Sequence, residues 1–391
     1  MGLVKSRTPR TRIRFQTFHP SMQNNPNQNP EPDLPVDGND SNSQQTLLFE
    51  SSPFGTVDAI VQHDGQSVHF YLNGREPFGT RACWVRNLET GPFVLDKAAV
   101  EEGRTPMLPR THCRNPQPQP LPDPENLHVI WMEEGTGAAL LENGQPIAII
   151  PPWSGIDGFH GYATECAAES PICWPLPAKD KLHQRLARAA EFWLSFENEE
   201  DNVFKKLQTE LLQTYDEQWG TDPTNRYFSI DGGRFPPRGL SVYHQQNAMI
   251  ATTVGMSLCP QPNVELHCES PSQFRRIELG IQLETERTFD ELEPLWQALS
   301  GLAAYPWQRL TWLGAGHTVP FAAFSQWLGE PYQYALLLAD QSEATPVPLP
   351  SFRNDPVNLL WIVPITEAQR SELENGSSPP RHFAQNIRNR I

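Results

Sequence analysis

Gly314-Ala315-Gly316-His317-Thr318 is the stretch of this 391-residue chain whose residue types most suggest acid–base chemistry. It follows the apolar run Leu310-Thr311-Trp312-Leu313, and an imidazole at the end of a strand can act as acid, base or ligand near neutral pH. The plainer reading is a ring that fixes a turn by hydrogen-bonding loop backbone, with Gly316 taking an unusual φ. Arg275-Arg276-Ile277-Glu278-Leu279 is the second candidate. Side chains alternate along a strand, so Arg276 and Glu278 share one face about 7 Å apart, near enough to pair, while Ile277 and Leu279 turn the other way. That polar face is either the solvated back of a core strand or the lining of a groove for an extended partner peptide. Trp153, within Pro151-Pro152-Trp153-Ser154-Gly155, joins Trp84, Trp131 and Trp174 as an aromatic close to loops. Exposed, such rings anchor a partner; buried, they are ordinary core.

The sites for familiar catalysis are missing from the sequence. Gly255-Met256-Ser257-Leu258-Cys259 lacks the second glycine of a nucleophile elbow. No H-E-x-x-H, G-x-x-x-x-G-K-[ST] or G-x-G-x-x-G occurs, and the glycines before His317 have no following lysine to hold a phosphate. The six cysteines, Cys83, Cys113, Cys166, Cys173, Cys259 and Cys268, form no C-x-x-C pair, so reduced buried thiols are expected and a zinc site is not. The expectation is a protein with no catalytic residues, cofactor or metal.

The elements that must position these residues follow from composition and periodicity. Proline makes up 39 of the 391 residues, about twice the usual share, which disfavours a mainly helical chain and favours strands joined by stiff loops. Strands are expected at Leu47–Glu50, Thr56–Gln62, Ser67–Leu72, Arg81–Asn87, Leu127–Met132, Ala138–Leu141 and Ile147–Ile150, with hairpins turning at Asp64-Gly65 and Asn143-Gly144. Seven prolines between Pro106 and Pro124 predict an extended connector or a contact surface. Leu182, Leu186, Ala189, Trp193 and Phe196, then Val203, Leu207, Leu211 and Tyr215, recur at helical steps and predict two amphipathic helices. Beyond them strands are expected at Tyr227–Ile230, Leu240–His244, Met249–Val254, Val264–Cys268, Arg275–Leu283, Arg309–Leu313, Tyr334–Ala339 and Leu359–Val363. Helices are expected at Leu292–Tyr305, Thr366–Asn375 and Pro380–Arg388. The class is α+β: a β-rich N-terminal module over 46–177, a helical connector over 178–222 and a mixed-sheet domain over 223–391.

Residues 1–45 read differently. Lys5, Arg7, Arg10, Arg12 and Arg14 precede any acid, and a stretch rich in proline and asparagine follows, the composition of a disordered tail. A transit peptide would need a helical stripe, which Pro9 interrupts. Met1-Gly2-Leu3-Val4-Lys5-Ser6 fits a myristoylation pattern that is short enough to occur by chance. No run of about 20 apolar residues suggests a membrane span, and a cytoplasmic location is expected. A net charge of −16 disfavours nucleic acid, whose phosphates need a basic surface, and suits either a basic protein partner or simply solubility.

Taken in order, Gly255-Met256-Ser257, Arg275-Arg276-Ile277-Glu278-Leu279, Pro306-Trp307, Gly316-His317-Thr318 and Trp361-Ile362-Val363-Pro364-Ile365-Thr366-Glu367 resemble the suppressor-of-fused family. Asn73-Gly74-Arg75, Arg81 to Leu88, Ile149 to Gly155, and Tyr227 with Ile230 to Gly233 extend the resemblance to its longer, bacterial-type members over residues 46–391. The partner-clamping insertion of the animal members has no visible counterpart. The resemblance implies a protein-binding module with a suppressor-of-fused-like C-terminal domain, and an immunity-type role that masks a cognate toxin. Arg276, Glu278, His317, Thr318 and Trp153 are the candidate binding residues. Two alternatives remain: an enzyme or small-ligand binder using a cleft between modules near His317, and a structural adaptor contacting its complex through residues 106–124.

Overall fold

Three β-sheets and the helices between them make an α+β fold. The computed structural model describes residues 44–391 apart from 77, 103–104, 179–180, 246–247, 330, 340–346, 381–382, 384–387 and 391. The basic tail at residues 1–43, and most of the helix expected at Pro380–Arg388, lie outside the described residues.

The first sheet is an antiparallel meander of β1 (Gln45–Ser51), β2 (Val57–His63), β3 (Ser67–Gly74) and β4 (Thr80–Asn87). Asp64 closes its β2–β3 turn by accepting the backbone N–H groups of Gln66 and Ser67, each at 2.9 Å. A short helix, α1 (Lys97–Glu101), leads into the proline-rich stretch. That stretch is a strap laid on the sheet: Asn87 donates to the Leu108 carbonyl at 2.8 Å and accepts its N–H at 3.1 Å, burying Leu108 completely.

The second sheet holds β5 (Leu127–Trp131), β6 (Ala138–Glu142), β7 (Gln145–Ile150), β8 (Tyr162–Ala163) and β9 (Trp174–Pro175). Asn143 and Gly144, at φ 51° and 75°, form the two-residue turn between β6 and β7. Both angles are positive, as a right-twisted hairpin requires. Apolar residues of the first two sheets, among them Val61, Phe70, Trp84, Leu127, Leu140 and Ile150, form one core.

Two helices carry the chain onward. α2 (Lys181–Glu197) buries Leu182, Leu186, Ala189 and Phe192, and α3 (Val203–Trp219) buries Val203, Leu207, Leu211 and Tyr215. Asn202 caps α3, accepting the N–H groups of Phe204 and Lys205. The first turns of α2 pack with Met132, Ala139 and Ile149 of the second sheet, whereas Phe192 joins the C-terminal core. One helix therefore touches both halves of the molecule.

The third sheet runs β10 (Arg226–Ser229), β11 (Gly239–Gln245), β12 (Ala248–Val254) and β13 (Ile277–Glu284). Past β13 the chain adds β14 (Thr318–Pro320), β15 (Tyr334–Leu338), β16 (Asn358–Ile365) and β17 (Arg388–Arg390). The spatial order is β10-β11-β12-β13-β16-β15-β14, with β17 also against β13. β13 pairs parallel with β16 and with β17 and the other pairings are antiparallel, so the sheet is mixed. The helices of this half are α4 (Val264–His267), α5 (Glu293–Arg309), α6 (Ser325–Leu328) and α7 (Glu367–Glu374). Thr366 and Gln369 form a reciprocal capping box at the start of α7.

Three expectations are corrected here. Val264–Cys268 is one helical turn, its Cys268 N–H donating to the Val264 carbonyl at 3.0 Å, rather than a strand. Arg309–Leu313 is not a strand either, because α5 continues through Pro306 to Arg309 and ends at Leu310 in the left-handed region, φ 50°. Pro306 sits in the last turns of the helix, where only one ladder bond is lost. Finally, β13 has no solvated face from Ile277 to Ile281, where every residue is buried. Gly280 lies so close under the Trp361 ring that a Cβ there would come within 2.9 Å of it.

Candidate functional site

Arg276 and Glu278 flank Ile277 at the start of β13, and both side chains are wholly buried. They do not pair with each other. The Glu278 carboxylate accepts the backbone N–H groups of Gly255 and Ser257 at 3.0 Å each, and the hydroxyls of Ser257 and Thr253 at 2.6 Å each. Burial raises its pKa above the ordinary carboxylate value, and the hydrogen bonds from Ser257, Thr253 and Gly255 pull it back part of the way. The carboxylate thus holds the single 3₁₀ turn Met256–Leu258 against the strand. Gly255 makes that turn reachable: its φ is 109°, and a Cβ would lie 2.6 Å from the Pro237 carbonyl.

Arg276 completes the same knot from the other side. Its Nη1 donates to the carbonyls of Ser257 and Leu258 at 2.9 and 2.7 Å, its Nε to Asp355 at 3.0 Å, and its Nη2 to Glu133 at 2.6 Å. The Phe352 ring lies 5.0 Å below the guanidinium carbon. Ser257 is the shared residue: its N–H and hydroxyl hold Glu278 while its carbonyl holds Arg276.

From there the ion pairs spread. Asp355 also takes a two-point contact from Arg275 at 2.8 Å, and Glu133 takes Arg353 at 3.1 Å. Arg275 lies 3.8 Å from Glu265, which pairs with Arg185 at 2.7 Å, and Arg185 also holds Glu134 at 2.9 Å. Among the described residues, with Glu191 3.8 Å from Arg353, four guanidinium groups and five carboxylates are therefore linked in one chain of contacts. Burial alone would lower the Arg185 pKa, but Glu134 and Glu265 outweigh it and hold the group above its ordinary value. Glu133 and Glu134 come from the turn after β5, Arg185 from α2, and the rest from the C-terminal half. The network is a seam between modules, and desolvated charges of this kind are kept by partners rather than by solvent.

The remaining candidates lie elsewhere. His317 packs edge-on to Trp312, ring centres 4.4 Å apart, with His267 on the same indole at 6.3 Å. Burial lowers its pKa below the usual imidazole value; a hydrogen bond to the Trp312 backbone opposes this and His267 adds to it. Its backbone bridges Gly314 and Leu337, and it shares no hydrogen-bond partner with Arg276 or Glu278. Thr318 opens the edge strand β14, opposite Leu336. Trp153 is half-buried, with the Arg185 guanidinium 5.7 Å from its ring centre. The structure therefore brings Arg276 and Glu278 together, reaches Trp153 through Arg185, and leaves His317 and Thr318 apart. Among the described residues no group of three or more His, Cys, Asp or Glu is placed to hold a metal, and no helix is long and apolar enough to cross a membrane.

Glu133, Asp355, Arg353 and Arg185 were not singled out by sequence reasoning. Glu133-Glu134 directly after an apolar strand is the one local signal, but its partner Arg276 lies more than a hundred residues further along the chain.

With this geometry established, the comparison with known families supports the resemblance over one part of the chain. Residues 230–378 match the family model of Suppressor of fused protein (SUFU). Gly255, Ser257, Glu278, Arg276, His317, Thr318 and Asp355 fall inside that suppressor-of-fused segment, while Glu133, Glu134, Trp153 and Arg185 fall outside it. A comparison with curated proteins finds no match. The suppressor-of-fused type is one of protein interaction.

Proposed function

We propose that this chain is a non-enzymatic, cytoplasmic protein-binding protein that neutralises a cognate toxin by stoichiometric masking, as a bacterial-type member of the suppressor-of-fused family. The observation that carries the reading is the suppressor-of-fused match at 230–378 together with the fate of the convergent candidates. An enzyme using Arg276, Glu278 and His317 needs them around one accessible cleft. Arg276 and Glu278 instead spend their hydrogen-bonding capacity inside the protein, which supports a recognition role for the outer surface and a structural one for these two residues. The net charge of −16 favours a basic partner such as a nuclease-type toxin, drawn in by long-range attraction.

A tagged pull-down from the native cells at moderate salt, with bound proteins identified by mass spectrometry, tests this. One near-stoichiometric basic partner, toxic when expressed alone and harmless with this chain, is the expected result. A monomer that captures nothing, or a partner whose toxicity is unchanged by co-expression, would overturn it.

A further inference from the structure

Arg81 is a guanidinium that the fold holds in place without giving it an acceptor. It stands on β4 opposite Leu72, on the face whose Ala59 and Leu72 enter the core shared by the first two sheets. The turn before β4 brings Phe78 back to it. Gly74 N–H donates to the Gly79 carbonyl and Phe78 N–H to the Arg75 carbonyl, each at 2.9 Å. The Phe78 ring is pressed onto Gly74, where a Cβ would come within 2.6 Å of it, and its centre lies 4.7 Å from the Arg81 guanidinium carbon. A second contact comes from the loop after β7. The Ser154 hydroxyl donates to the His160 carbonyl and Gly155 N–H to the Phe159 carbonyl at 2.8 Å, closing that loop on itself. Gly155, at φ 94°, is thereby set against the guanidinium: a Cβ there would lie 2.5 Å from its carbon and 2.7 Å from Nε and Nη1.

Ring and glycine backbone fix the group, but neither accepts its hydrogens. Among the described residues no hydrogen bond or ion pair reaches the Arg81 side chain. Its Nε is shut off from solvent, whereas the two Nη groups keep contact with it, and the residue as a whole is half-buried. Burial lowers its pKa and no acid offsets that. His160, on the same loop, has its pKa lowered by burial and further by the Arg81 charge, so this corner is short of negative charge. Other guanidinium groups withdrawn from solvent are treated differently: Arg86, Arg185, Arg275, Arg276 and Arg353 each hold a carboxylate. Arg238 also lacks a side-chain partner, but it is 5% exposed, which leaves a ligand little to meet. Arg81 combines an open edge with a desolvation cost that no partner offsets.

We propose that Arg81 is the anchor of a carboxylate-binding site. The fixed guanidinium presents its Nη–H groups along one edge, the fork that meets both oxygens of a carboxylate at once. One positive charge matches one carboxylate, whereas a doubly charged phosphate would keep an unpaired charge beside a chain of net −16. Ile156, next to Gly155 and 40% exposed, offers apolar surface to the stem of the ligand. The same chemistry is carried by a small carboxylic acid and by the free C-terminus of a peptide. The site does not depend on the neutralisation reading.

The test uses the full-length chain and the arginine-selective reagent phenylglyoxal, in acetate or in chloride at equal ionic strength and pH. Modified Arg81 resists trypsin and appears in a peptide of residues 76–86, while modified Arg75 appears in one of residues 15–81. The expected result is that Arg81 reacts in chloride and is protected by acetate, about threefold at twice the dissociation constant, with Arg75 unaffected. An apolar tripeptide with a free C-terminus, set against its C-terminal amide, separates the two sources. Protection by the acid at lower concentration than acetate, lost in the amide, assigns the site to a peptide terminus; protection no better than acetate assigns it to a small acid. Three results would overturn the proposal: an Arg81 that does not react in the folded chain, equal rates in acetate and chloride, or the same slowing at Arg75.

Discussion

Arg276 shows most sharply how a polar residue can serve a fold rather than a partner. Its guanidinium donates to two backbone carbonyls and two carboxylates, and nothing of it reaches solvent. Truncating one member of such a group strands the others in a medium that cannot solvate them. Arg276→Met should therefore lower stability by about 3–5 kcal/mol in urea unfolding; a loss below about 1 kcal/mol, the range of an exposed ion pair, would show that water reaches the seam. His69 provides a second test at this scale. Burial pushes its pKa down to about 4, against 6.5 for a free imidazole, and its Nε2 has no hydrogen-bond partner among the described residues. Below pH 6.5 the unfolded chain binds a proton that the folded chain refuses, so stability falls as pH drops from about 6.5 towards about 4. Between pH 7 and pH 5 the cost is on the order of 2 kcal/mol. Asp64, the charged neighbour that opposes this shift, stays ionised over that range. In His69→Gln that part of the pH dependence should disappear; identical profiles for variant and parent would place the effect on another group.

At the scale of elements, the 3₁₀ turn after β12 is the joint on which the knot depends. Gly255→Ala would put a methyl group within 2.6 Å of the Pro237 carbonyl and 2.8 Å of the Phe204 ring, at a φ that L side chains rarely adopt. The expected outcome is a loss of at least about 1–3 kcal/mol, measured by thermal unfolding, with the suppressor-of-fused segment affected first. An unchanged midpoint would mean that the turn can relax without releasing Glu278. Elements with one clear period were legible in the sequence: Val203, Leu207, Leu211 and Tyr215 line the buried side of α3, and the Asn143-Gly144 turn sits between its two strands. Short or interrupted elements were not. Val264-Glu265-Leu266 alternates like a strand over a length too short to separate two periods, and Pro306 reads as a helix stop although it lies inside α5. The polar face expected at Arg276 and Glu278 has the correct alternation, but periodicity gives the face and not what covers it. Here the cover is Ser257, Asp355 and Glu133, which lie far away in sequence.

Over the whole molecule, two β-rich halves are joined by charge and by rings. Phe54 of the N-terminal half packs between Phe235, 4.9 Å away and edge-on, and Trp307, 5.9 Å away and stacked. The Trp193 indole of α2 donates to the Trp131 carbonyl at 2.7 Å and lies 5.3 Å from Phe235. With the seam of ion pairs, these contacts make the suppressor-of-fused segment depend on residues far outside it, Glu133 above all. A partner would therefore meet one pre-shaped surface, which lowers the ordering cost of association. The most direct test is urea unfolding followed by hydrogen exchange at amides of β2–β4 in one half and β11–β13 in the other. A single shared midpoint is predicted, shifted equally in both halves by Glu133→Gln. Two separate midpoints, with β11–β13 still protected after β2–β4 have opened, would contradict the joining of the halves through Arg276 and Glu133.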